Sequence, residues 1–164
     1  MLMHKDEITQ LCLPLIEISP RLAIELAKKG VQVSLVQNNW WETTFTAIEL
    51  LIAEDSETAD KIILENDELF SKKISSVCVL DFEGSYLLKS IQLIGKNSES
   101  TLEAIVRKID LERFEKSIRS TLSDSRTTRT TVSRLHELIA YCAPYSENPQ
   151  AFLKLIKLRR PHKT

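Results

Sequence analysis

A short pattern that returns twice at nearly fixed spacing restricts this chain more than any other feature. Glu49-Leu50-Leu51-Ile52 comes back as Gln92-Leu93-Ile94-Gly95 and again as Glu137-Leu138-Ile139-Ala140. The leucines at its centre, Leu50, Leu93 and Leu138, lie 43 and then 45 positions apart. Each copy closes a run of helical pattern, and a polar loop or short linker follows. A period of about 40–47 residues is the mark of stacked helical repeats, in which each unit buries its apolar face against the next. The expected fold class is therefore all-α.

The chain has 164 residues, enough for one domain with a sizeable core. Its 3 Gly and 5 Pro are too few for a turn-rich β-sandwich. Glycines at 30, 84 and 95 cannot supply a phosphate-cradling loop, so no nucleotide cofactor is expected. Cys12, Cys78 and Cys142 are widely spaced among apolar neighbours and form no CxxC pair. They read as reduced, buried thiols of a cytoplasmic or nuclear protein, without support for a metal site. No apolar run approaches the roughly 18 residues of a membrane span, and the N-terminus lacks a signal peptide's apolar core. A region of a longer protein fits the same features.

Apolar spacing predicts the helices in order. A leading helix over 6–18 carries Ile8, Leu11, Cys12, Leu15 and Ile16. Helices over 20–29 and 31–37 follow, then Trp40 to Ala53. Asp55-Ser56 opens the next helix, which ends near Asn66-Asp67. Glu68 to Leu80 reads as one helix, Asp81-Phe82-Glu83-Gly84 as a break, and Ser85 to Gly95 as the next. Ser100 to Lys108, Asp110 to Leu122 and Thr131 to Cys142 complete the series, with Ser123 to Thr130 as a polar loop. Asn148-Pro149 starts a last helix, Gln150 to Arg160.

Three helices per unit, the third one long, resemble the armadillo repeat, with the HEAT repeat as its close relative. The residues carrying the resemblance are Ala27-Lys28-Lys29-Gly30-Val31, Leu64-Glu65-Asn66-Asp67-Glu68-Leu69, Lys108-Ile109-Asp110-Leu111 and Ala47-Ile48-Glu49-Leu50-Leu51. The resemblance implies a right-handed α-α superhelix filling residues 1–164 as a single domain. About three units (19–53, 54–95 and 96–142) would be flanked by helices 6–18 and 148–160. The family's peptide-clamping groove Asn falls on Leu50, Leu93 and Leu138, and its groove Trp on Thr46, Lys89 and Arg134. The regular peptide ladder of the nuclear-import members is therefore not implied. Carried over by position, the concave third-helix face would comprise Thr43, Thr46, Tyr86, Lys89, Thr131 and Arg134. Lys89 and Arg134 would suit it to acidic or phosphorylated ligands.

The net charge of −1 conceals an asymmetry. Residues 1–115 hold 12 Lys/Arg against 20 Asp/Glu, and residues 116–164 hold 10 against 3. The basic end reads either as a solvated face or as a surface for an acidic partner. Trp40-Trp41 places one ring in the core and offers the other as an interface anchor, because adjacent helix positions point about 100° apart. Phe152, Leu155 and Ile156 mark the last helix as a candidate self-association face of a homodimer. Hydroxyls beside arginines over 120–133 resemble substrates of basophilic kinases. His136 and Cys142, six apart on a helix, cannot meet as base and nucleophile. No catalytic constellation emerges. The leading expectation is a non-enzymatic scaffold or adaptor for a protein or peptide partner. The alternative is a nucleic-acid-associated helical protein using the basic C-terminal half.

Overall fold

The structure, a computed structural model, describes residues 40–161. The helices expected over 6–18, 20–29 and 31–37, together with Cys12, lie outside the described residues, as do the side chains of Trp40 and Thr43. Among the described residues the fold is all-helical, with eight α-helices, three 3-10 segments and no strands.

Helix α1 spans Trp40–Glu54 and turns Trp41, Thr44, Ala47, Ile48 and Leu51 inward along one face. Helix α2, Ser56–Glu65, begins where Asp55 caps it. The Asp55 carboxylate accepts the amides of Glu57 at 3.1 Å and Thr58 at 3.2 Å, and the Thr58 hydroxyl at 2.6 Å. The Thr58 hydroxyl, first, and the backbone amides hold this carboxyl below its ordinary pKa. Helix α3 is Asp67–Ser75, α4 Tyr86–Asn97, α5 Glu99–Arg107, α6 Leu111–Ser123, α7 Arg129–Cys142 and α8 Pro149–Lys154. Ser98, Asp110, Thr128 and Asn148 each accept a first-turn amide, so α5, α6, α7 and α8 start at side-chain caps.

Two expected helices are shorter than their apolar pattern. The one expected over Glu68 to Leu80 ends at Ser75, and a 3-10 segment takes over at Val79–Ser85. Two local bonds divert the backbone. The Ser75 hydroxyl donates to the Ser71 carbonyl at 2.7 Å, and the Asp81 carboxylate captures the Cys78 amide at 2.7 Å. The helix expected over Gln150 to Arg160 stops at Lys154, continues as a 3-10 turn over Leu155–Lys157, and is extended at Leu158. There Arg159 donates to the Ile156 carbonyl at 2.9 Å. Arg160 reaches back to the carbonyls of Thr127 at 3.0 Å and Asp124 at 3.2 Å. The polar loop expected over Ser123 to Thr130 is also shorter, because α6 includes Ser123 and α7 already begins at Arg129.

Helices distant in the chain pack on one another. Helix α1 packs on α4 and α4 on α7; α2 packs on α5, and α3 on α6. Hydrogen bonds join the same seams at a recurring separation. Asn97 Nδ2 donates to the Ser56 carbonyl at 3.2 Å, 41 residues away. The Thr101 hydroxyl donates to the Asp60 carboxylate at the same separation. Ser117 Oγ donates to the Ser75 carbonyl at 2.8 Å, 42 residues away. One apolar core runs through all of these seams, from Trp41 and Phe70 to Phe114 and Phe152, whose rings lie 6.0 Å apart. Gly95 sits inside α4 where a Cβ would stand 2.5 Å from the Tyr141 hydroxyl and 2.7 Å from Leu102 Cδ2. Its missing side chain is what lets α4 meet both neighbours.

Candidate functional site: the groove between α4 and α7

The seam between α4 and α7 opens into a concavity of about 430 Å³ between the start of α4 and the first half of α7. Ser85 and Leu88 line it from one side. Arg129, Thr130, Ser133, Arg134 and Glu137 line it from the other. On α7 the set Thr130, Ser133, Arg134, Glu137 follows the spacing of one helix face.

The entry to α4 shapes one wall. Gly84 has φ +66° and Ser85 φ +63°, two consecutive left-handed residues. A Cβ on Gly84 would lie 2.6 Å from the Tyr86 ring, so the position requires glycine on two counts. Behind it Asp81 is 6% exposed, and burial raises its carboxyl pKa against the opposing pull of the Cys78 amide and Lys73. Arg134 ties the two walls together by donating from Nη1 to the Phe82 carbonyl at 2.6 Å.

The positions carried over from the family resemblance fall into two groups. Arg134 lies in the groove, with its guanidinium partly committed to Phe82. Thr131 turns toward the cap, where its amide donates to Thr128 Oγ1 at 3.2 Å and the two hydroxyls stand 3.1 Å apart. Tyr86 and Lys89 meet at the α1–α4 junction instead. The Tyr86 ring is 5.9 Å from Phe45, and exposed Lys89 holds its ammonium 5.4 Å from the Tyr86 ring centroid. Thr46, half-buried, donates its hydroxyl to the Glu42 carbonyl at 3.1 Å. Helix α4 borders both places, the groove through Leu88 and the α1 junction through Tyr86 and Lys89.

Several expectations are corrected by burial. Trp41, 2% exposed and 6.3 Å from Phe70, is the ring of the Trp40-Trp41 pair that was expected in the core, so it does not serve as the interface anchor. Phe152 is 1% exposed and Leu155 is buried with it, because α8 folds onto α6 and α7 of the same chain. Neither is an exposed self-association face. Ile156 is half-buried against the same core, and Leu153 is the large apolar residue of this helix that reaches solvent. Cys78 is exposed, contrary to the buried thiol expected of it. Partial desolvation, then the Asp81 charge, raises its pKa. Cys142 is buried and pushed up to about 12, which keeps it a thiol.

Of the groove lining only Arg134 was among the expected site residues; Ser85, Leu88, Arg129, Thr130, Ser133 and Glu137 were not, and α7 begins at Arg129, two residues before the expected start. The available signal was Thr128, a capping residue immediately before Arg129. A second concavity of about 460 Å³ lies between α3 and the start of α6 and includes Lys72, Lys108, Asp110 and Arg113. Its charges serve the seam: Lys108 pairs with Asp67 at 2.8 Å, and the Asp110 amide donates to Ser75 Oγ at 3.1 Å. Among the described residues no cluster of three or more His, Cys, Asp or Glu is arranged to hold a metal ion. Nor is any described helix long and apolar enough to cross a membrane. Comparison with protein-family models, with curated proteins and with solved structures finds no match.

Proposed function

We propose that this chain is a non-enzymatic interaction module of armadillo-like units that holds an acidic or phosphorylated peptide along its third-helix face. The observation carrying the reading is the α4–α7 groove, with Arg129 and Arg134 on one wall and Ser85 and Leu88 on the other. The repeat arrangement draws on the packing of helices distant in the chain and on seam hydrogen bonds that recur 41 and 42 residues apart. Both agree with the period of the leucine pattern. Guanidinium groups facing a groove favour carboxylate and phosphate through charge-assisted hydrogen bonds.

The test uses a pool of acidic and phosphorylated peptides with a neutral pool of the same lengths. Arg129→Glu changes the groove and leaves Arg134 to its structural bond. Loss of one or two charge-assisted bonds, each worth about 1.5–3 kcal/mol, weakens binding by more than tenfold. Lys72→Glu/Arg113→Glu in the α3–α6 concavity should bind as wild type. Equal binding by a folded groove variant, or equal retention of the neutral pool, contradicts the reading.

Nucleic-acid binding by the basic C-terminal half is the competing reading. It is the weaker one because Arg134, Arg159 and Arg160 direct donors at backbone carbonyls of their own chain. It predicts a steep salt dependence with oligonucleotides.

A further inference from the structure

We propose that Thr128 is a phosphorylation site for an arginine-directed protein kinase. The stretch 120–133 is rich in hydroxyls, and the fold sorts them. Thr121 and Thr127 are buried, each donating its hydroxyl to a backbone carbonyl. Ser123 donates to the Arg119 carbonyl at 2.9 Å inside α6, while Thr130, Thr131 and Ser133 belong to α7. A kinase takes its acceptor from exposed, non-helical backbone, which leaves Ser125 and Thr128. Ser125 sits in a turn directly after Asp124, an acid unfavourable beside an incoming phosphoryl group. Thr128 is exposed and extended, with φ −104° and ψ 170°, and has arginines at −2 and +1, Arg126 and Arg129. Arg126 pairs with Asp124 at 2.9 Å on the surface, where such a pair yields easily to a competing acid.

The local structure also receives the product. Thr128 Oγ1 already caps α7, whose 14 residues carry no acid in the first turn. A phosphate there keeps an acceptor on the Thr131 amide and adds negative charge at the positive end of the helix. It also stands next to Arg129, and Arg160 is held on the carbonyls of Thr127 and Asp124. In the transfer, the bond from the γ-phosphorus to its bridging oxygen breaks and the Thr128 Oγ1–phosphorus bond forms. The hydroxyl proton passes to the kinase's base, and nucleoside diphosphate leaves. Phosphate beside Arg129 lowers the positive character of the groove, so the modification weakens an acidic ligand. That consequence rests on the peptide reading above, whereas the modification itself does not.

The full chain is incubated with a nucleoside triphosphate and an arginine-directed Ser/Thr kinase, then mapped by mass spectrometry. The expected result is one phosphate per chain, on Thr128, absent in Thr128→Asn and restored in Thr128→Ser. Asparagine preserves the cap without an acceptor hydroxyl, so a folding defect does not mimic the loss. The phosphorylated chain should melt at a higher temperature than the unmodified one. No incorporation, incorporation at another hydroxyl, or a lower melting temperature overturns the proposal. None of these readouts uses a peptide ligand, so they stand apart from failure of the groove reading.

Discussion

The two junctions that lead into α4 and α7 occupy the same place in the helix order and are built in opposite ways. The first, residues 76–85, is long and largely inward. It carries a 3-10 segment, a buried carboxylate at Asp81 and two left-handed residues, and α4 starts without a side-chain cap. The second, residues 124–128, is short and mostly outward. Asp124 holds Arg126 through two bonds at 3.0 and 2.9 Å, Thr128 caps α7, and Arg160 fastens the loop from the C-terminal side. Backbone geometry fixes the first and surface chemistry fixes the second. The groove lies where they meet, with Ser85 from one and Arg129 just past the other, and Arg134 bridging to Phe82.

Substituting the left-handed glycine breaks this comparison most severely. Gly84→Val puts a branched side chain on a positive φ and into the Tyr86 ring, and should destabilise the fold by about 3 kcal/mol or more in urea unfolding. Ser125→Ala, in the other junction, should stay within about 0.5 kcal/mol. A Gly84→Val protein as stable as wild type would mean that the junction relaxes freely.

The bridge comes next. Arg134→Met retains the aliphatic stem but leaves the Phe82 carbonyl without its guanidinium, and should lose about 1.5–3 kcal/mol in the same assay. An unchanged unfolding midpoint would show that Arg134 is free for ligand after all. Thr128→Ala removes the α7 cap and should lose about 1 kcal/mol, most of it recovered by Thr128→Asp. If alanine and aspartate melt alike, the cap does not hold the second junction.

The smallest effect is a pH dependence of opposite sign at the two junctions. Burial raises the Asp81 carboxyl above its ordinary 3.8, so the native state binds that proton more tightly than the unfolded chain does. Its contribution to stability therefore falls as pH rises from the ordinary carboxylate range through the raised value. Arg126 holds Asp124 down at about 2, so its contribution is present above 3.8 and is lost as pH falls through about 2. Asp81→Asn should flatten the stability profile on the side above pH 3.8, and Asp124→Asn only below it. Identical profiles for wild type and Asp81→Asn would contradict the first assignment.

The sequence made the second junction easier to read than the first. The caps Asp55 and Asp110 mark helix starts that the apolar spacing also gives, whereas the starts expected at Ser100 and Thr131 lie one and two residues after those set by Ser98 and Thr128. Val77, Val79, Leu80 and Phe82 instead prolong the apolar spacing of α3. The bond that ends the helix, from the Cys78 amide to Asp81, leaves no trace in that spacing. Arg134 was legible as a third-helix surface residue. Its carbonyl partner lies 52 positions away, and no local pattern reports that bond. Phe152 and Leu155 showed an apolar face without showing that the same chain covers it.

The most direct test of the groove is amide chemical-shift mapping of the isotopically labelled chain titrated with the acidic and phosphorylated peptide pool. The account predicts perturbations centred on Ser85, Leu88, Arg129, Thr130 and Ser133, with Lys72, Lys108 and Arg113 unmoved. Perturbations confined to the α3–α6 side or to α8, with the groove residues silent, would contradict it.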